Sequence, residues 1–177
     1  MQTAPLPDNE AERLQALREI LILDTPPEER FDRLTTFAAV EFDMAITTVT
    51  LIDADRQWFK SRVGLDPCET SRDVAFCAHT IHRPDVMVVE DALQDERFFD
   101  NPLVTGDPRV RFYAGCPLVM ANGEAVGTLC LIGRMPKRLS AWERDHLSLL
   151  GRMVSAELQG VSATTVEGRP NIPALYG

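Results

Sequence analysis

The residues best equipped for chemistry stand together in Phe76-Cys77-Ala78-His79-Thr80-Ile81-His82. A thiol near the start of a short helix can be drawn toward its thiolate by the helix N-terminus or a nearby cation, which would make Cys77 a nucleophile. A catalytic Cys-His pair needs the imidazole within hydrogen-bond reach, and neighbours two apart on a helix do not provide that directly. A metal site is the second chemistry to weigh. His79 and His82 lie three apart and can share a helical face, but Cys77 points elsewhere and a fourth ligand would have to come from far away. His146, the last of the three histidines, falls on a different helix. The expectation is that no metal is held and that Cys77 lines a cavity as a half-buried small hydrophobe.

The other three cysteines, Cys68, Cys116 and Cys130, have no CxxC spacing, so reduced thiols are expected. Cys116 and Cys130 each sit in an apolar run and read as core filling. There is no GxSxG elbow, P-loop, dinucleotide fingerprint, HExxH pair or kinase set, which removes the enzyme classes built on them. Aromatic residues cluster at Trp58-Phe59, Phe76, Phe98-Phe99 and Phe112-Tyr113. They can wall a small-molecule cavity, with Arg62, Arg72, Arg109 or Arg111 as anchoring donors. A strand alternates, so only one member of each adjacent pair can face the cavity.

The elements that must position these residues are legible from periodicity. Leu14, Leu17, Ile20 and Leu21 recur at helical spacing after Asp8-Asn9 and predict a helix over about 10–21. Thr25-Pro26-Pro27-Glu28 reads as the start of a second helix, with Thr25 as cap and Glu28 closing a capping box. The apolar stripe of that helix is Phe31, Leu34, Phe37, Ala38 and Phe42. Ile46 to Ile52 and Gln57 to Val63 form one hairpin, ended by Gly64. Val110 to Met120 and Glu124 to Ile132 form another around Asn122-Gly123, with Val86 to Val89 as a further strand. Ser140 and Glu143 predict a capping box for a last helix that runs to about Gln159. Between Gly64 and Arg109 lie four X-Pro bonds and only one clear strand, the pattern of a binding element.

Length and composition set the frame. The 177 residues suit one domain: an extension over 1–9, a body over 10–160 and a loose tail over 161–177. A formal net charge of −9 with no Lys/Arg block disfavours nucleic acid and anionic membranes. No apolar run reaches a membrane span and no basic leader opens the chain, so a soluble, cytoplasmic protein is expected.

With these residues in hand, the sequence resembles the GAF domain family over about Arg13 to Gln159. The resemblance is carried by Ile22-Leu23-Asp24-Thr25-Pro26-Pro27-Glu28-Glu29-Arg30-Phe31-Asp32, Asp55-Arg56-Gln57-Trp58-Phe59-Lys60-Ser61 and Phe76-Cys77-Ala78-His79. It continues in Asn101-Pro102-Leu103-Val104, Arg111-Phe112-Tyr113-Ala114-Gly115 and Gly127-Thr128-Leu129-Cys130. The chain looks particularly like the members placed ahead of diguanylate cyclases and sensor histidine kinases in bacterial signalling proteins. That resemblance implies an α+β fold, a central antiparallel sheet of five or six strands with the terminal helices on one face and pocket-forming loops and short helices on the other. It implies a ligand between sheet and loops, met by Trp58, Lys60, Phe76, Cys77, His79, Asp91, Arg111 and Tyr113. It also implies a homodimer through the terminal helices or a signalling partner; the ligand or cofactor itself stays unknown. Three other readings share the fold: a free methionine-(R)-sulfoxide reductase-like enzyme with Cys77 attacking and Cys68 or Cys116 resolving, a bilin photosensor, and a scaffold with a vestigial pocket.

Overall fold

A computed structural model describes residues 1–160. The chain opens with helices α1 (Glu10–Glu19) and α2 (Glu29–Glu41), followed by strands β1 (Ile46–Ile52), β2 (Arg56–Val63) and β3 (Glu69–Ser71). The long middle section holds the short helix α3 (Phe76–Thr80), strand β4 (Met87–Val89) and the single turn α4 (Pro102–Thr105). Strands β5 (Phe112–Val119) and β6 (Ala125–Gly133) and helix α5 (Ala141–Leu158) complete it. The fold is α+β, with one six-stranded sheet in the order β3-β2-β1-β6-β5-β4 and every neighbouring pair antiparallel. The tail expected over 161–177 lies outside the described residues.

Alternation along the strands divides the core in two. Val49 and Leu51 of β1, Leu129 and Leu131 of β6 and Phe112 and Ala114 of β5 point to one face. That face is covered by Ala16 and Leu17 of α1, Phe31 and Ala38 of α2, and the Leu147, Leu150, Val154 and Leu158 stripe of α5. On the opposite face Ile52, Met87, Val89, Tyr113 and Cys130 pack under α3 and the loops that follow it.

Both hairpins and the last helix form where local chemistry places them. Ser140 Oγ accepts from Glu143 N–H at 3.2 Å while the Glu143 carboxylate accepts from Ser140 N–H at 2.7 Å, which completes the capping box. At the β5–β6 turn Gly123 has φ of +89°, a region open to glycine at little cost. The second helix departs from expectation: it starts at Glu29, and Thr25 does not cap it. Thr25 Oγ1 donates to Ile22 O and, with Pro26 O, accepts from the buried Lys60 ammonium at 2.7 Å. Glu28 pairs with the same ammonium at 2.6 Å, so the Thr-Pro-Pro-Glu segment is an extended strap clamped to β2. Residues 1–9 also pack: Gln2 N–H donates to Arg97 O, and Gln2 O and Pro5 O meet His79 Nε2 and His82 Nε2 at 3.0 and 2.9 Å.

Candidate functional site

The long connection between Gly64 and Arg109 closes over the second face of the sheet and leaves a cavity of about 50 Å³ beneath it. Its floor is the outward side of four strands: Thr48 of β1, Gln57 and Phe59 of β2, Tyr113 of β5 and Cys130 of β6. Its roof is Phe76 and Cys77 of α3, with Leu65, Leu103 and Pro108 from the flanking loops. A wider cleft of about 530 Å³ runs between α5 and Pro84, but it is a shallow surface groove and holds none of the enclosed polar groups described next.

Those groups form a connected network under α3. Cys77 Sγ lies 3.7 Å from Cys130 Sγ and accepts from the Tyr113 hydroxyl at 3.4 Å. Thr80 Oγ1 is 2.8 Å from the same hydroxyl. Thr48 Oγ1 sits 2.8 Å from Cys130 Sγ and 2.7 Å from Thr50 Oγ1. Gly115 leaves the room this needs, because a Cβ there would overlap the Tyr113 hydroxyl and crowd Thr80 Oγ1. Phe76 stacks on Phe98 with centroids 3.9 Å apart and holds α3 against the loop. Gln57 donates from Nε2 to Thr70 Oγ1 at 2.6 Å, whereas its Oε1 is buried with no hydrogen-bond partner. A buried amide oxygen left without a partner costs about 1–3 kcal/mol, so a donor placed beside this atom would gain an acceptor.

Electrostatics within the cluster favour one sulfur. Burial pushes the Cys77 thiol up, but the hydrogen-bonding contacts with Cys130 and Tyr113 outweigh it and bring the pKa down to about 7. The proton shared with Cys77 and burial both push Cys130 well up, and the two thiols titrate as a pair. Burial raises Tyr113 as well, which keeps its hydroxyl a donor. No charged side chain is among the described residues lining the cavity.

Of the residues expected at the site, Phe76, Cys77 and Tyr113 line the cavity. Trp58 and Lys60 do not: they face the helix-covered side, Trp58 in its apolar core and Lys60 on the strap before α2. Asp91 caps its own loop by accepting from Leu93 N–H, and Arg111 donates to Val104 O and Val110 O at 3.0 Å. His79 lies edge-on to Phe98 under the N-terminal segment, outside the lining, and burial pushes its pKa down. None of the other arginines expected as anchors lines the cavity: Arg62 donates to Leu65 O, Arg72 pairs with Glu10, and Arg109 is exposed. Cys68 is exposed, and Cys116 lies in the opposite core against Gly151, so neither is placed to resolve Cys77. Cys130, expected as core filling, is the thiol beside it. The reading of the sequence also missed Gln57, although its neighbour Trp58 drew attention; Thr48-x-Thr50 and Thr128-x-Cys130 are the alternating polar signal that marked this face.

A model of the GAF domain family matches residues 11–159. A cyclic di-GMP phosphodiesterase of Pseudomonas aeruginosa is 38% identical over 172 residues, which is 96% of this chain but 29% of that protein. Among solved structures, the GAF domain of a phosphoenolpyruvate-protein phosphotransferase from Coxiella burnetii superposes with a TM-score of 0.64 at 15% identity, covering 86% of this chain and 96% of that one. A free methionine-R-sulfoxide reductase from Neisseria meningitidis gives 0.61 at 13% identity over 91% and 96% of the two chains. These structures share the fold, and the family match runs through α1 to the end of α5. The six-stranded antiparallel sheet with a helical layer on one face is thus that of a GAF domain, and this chain belongs to that family.

Proposed function

We propose that the chain is a sensory GAF module whose cavity takes a small, uncharged guest carrying at least one hydrogen-bond donor. The observation behind this is the enclosed space over Tyr113 and Cys77 with the unpartnered Gln57 Oε1 at its side. A cavity of about 50 Å³ has room for a guest of a few heavy atoms, or a few waters. With no cationic side chain in its described lining, it offers nothing to the phosphates of a cyclic dinucleotide or to the carboxylate of free methionine sulfoxide. This argues against a methionine sulfoxide reductase role, and the phosphodiesterase activity of the Pseudomonas relative belongs to a protein of which this chain matches under a third.

The output in this reading is a change in how the helices meet a partner, most simply a second copy. Phe37 and Val40 of α2 and Trp142, Leu149 and Met153 of α5 are exposed apolar side chains on the helical layer. His146 sits edge-on to Trp142 and beside Phe37, which joins the two helices into one surface. Strand β5 connects cavity and helices directly, with Tyr113 on one face and Cys116 packed against Gly151 of α5 on the other. To move such an equilibrium from mostly one state to mostly the other, the guest must favour one by about 5.5 kcal/mol.

The test is a thermal-shift panel of acetamide, methylurea and propanediol against acetate, cyclic di-GMP and free methionine sulfoxide. A guest at a hundred times its Kd adds about 2.7 kcal/mol of stability. Stabilisation by an uncharged compound that is lost in Gln57→Leu supports the reading; stabilisation by the charged compounds alone contradicts it.

A further inference from the structure

The thiol pair under α3 carries an inference that does not depend on which guest the cavity takes. Cys77 and Cys130 come from distant parts of the chain, yet their sulfurs lie 3.7 Å apart, both buried and both in the cavity wall. Disulfide formation needs the gap to close to roughly 2.0 Å, a shift of less than 1 Å for each sulfur. Cys77 lies on a helix of only five residues, and rotation about its Cα–Cβ bond supplies part of that shift. The cavity has space for one molecule of the size of hydrogen peroxide, and Gln57 Oε1 can accept a hydrogen bond from it. The geometry points to Cys77 and Cys130 as an oxidisable dithiol, converted by hydrogen peroxide to an intramolecular disulfide across the cavity.

The chemistry balances in two steps. The Cys77 thiolate attacks one peroxide oxygen; the S–O bond forms, the O–O bond breaks, and the hydroxide that leaves takes up the thiol's proton as water. Cys130 then attacks the sulfenic sulfur; the S–S bond forms, the S–O bond breaks, and a second water departs with the Cys130 proton. The two sulfurs supply two electrons and one peroxide becomes two waters. A dithiol such as dithiothreitol reverses the bond by exchange. Once oxidised, Cys77 is tethered to β6, and the Tyr113 hydroxyl and Thr48 lose their thiol partners.

The test uses the full 177-residue chain. After brief exposure to hydrogen peroxide, free thiols are blocked with N-ethylmaleimide and the disulfide-linked peptides are mapped by mass spectrometry. The expected product joins Cys77 to Cys130, disappears with dithiothreitol, and persists in Cys68→Ser and Cys116→Ser. In Cys130→Ser the crosslink is lost and Cys77 is trapped as a sulfenic acid by dimedone. A Cys77–Cys68 crosslink in the folded wild type, or Cys77 and Cys130 still reduced after Cys68 has been consumed, would overturn the inference.

Discussion

Cys77 owes its character to neighbours that each do one thing. Tyr113 donates to it, Cys130 shares a proton with it, and the Thr80 hydroxyl orients Tyr113 in turn. Because the pKa stands near 7 against an ordinary thiol value near 9, reaction with iodoacetamide should rise through neutral pH. Tyr113→Phe removes one of the lowering hydrogen bonds, so the midpoint of that profile moves upward; an unchanged midpoint would show that Tyr113 does not support the thiolate. Cys116, pushed up to about 11 by burial, stays silent over the same range. Gly115→Ala places a methyl group where the Tyr113 hydroxyl lies and should destabilise the protein by about 1–3 kcal/mol, read by urea denaturation.

At the scale of elements, β2 shows why the site was only partly legible in the sequence. Its register with β1 slips between Val49 and Thr50, so Lys60 and Ser61 both turn toward the helical layer, where Ser61 donates to Asp32 of α2. Simple alternation does not reveal the slip, and Lys60 within the Asp55–Ser61 block reads as a ligand contact when it is a clamp on the strap before α2. Lys60→Met strips Thr25, Pro26 and Glu28 of their shared donor and should cost about 1–3 kcal/mol, with the response to uncharged guests unchanged. Loss of guest response at unaltered stability would reverse that assignment. Hairpins and the α5 cap were readable because Asn122-Gly123 and Ser140/Glu143 act within a few residues of themselves. Which face of β6 carries Cys130, and that Gln57 rather than Trp58 looks into the cavity, depend on how strands assemble across the whole sheet. Gly151 belongs to the same scale: its missing Cβ lets α5 rest on Cys116, and Gly151→Ala should cost about 1–3 kcal/mol by overpacking.

For the molecule as a whole, a buried ionic knot ties α1 to the β1–β2 turn. Glu10 accepts from Arg13 and Arg72, while Arg13 also donates to Ile52 O and Arg72 to Asp53 O. Burial raises the Glu10 pKa, but the two guanidiniums outweigh it and hold the carboxyl at about 2. A carboxyl depressed on folding stabilises the native state fully above its unfolded value near 4.5, and that contribution is lost as pH falls through about 2. Glu10→Gln should therefore flatten the acid limb of a stability-against-pH curve, and an identical limb in the variant would remove Glu10 from the account. Around this frame the described residues hold no helix long and apolar enough to cross a membrane. The exposed helical surface of Phe37, Val40, Trp142 and Met153 should govern self-association: Trp142→Glu lowers the dimer fraction in sedimentation velocity if that surface pairs two copies. The most direct test of the guest cavity is a nitrogen-15 correlation spectrum of the labelled chain titrated with acetamide. Saturable shifts confined to amides around Gln57, Phe76, Cys77 and Tyr113 are expected; a spectrum in which those amides stay fixed while others move, or none moves, would rule out a guest in this cavity.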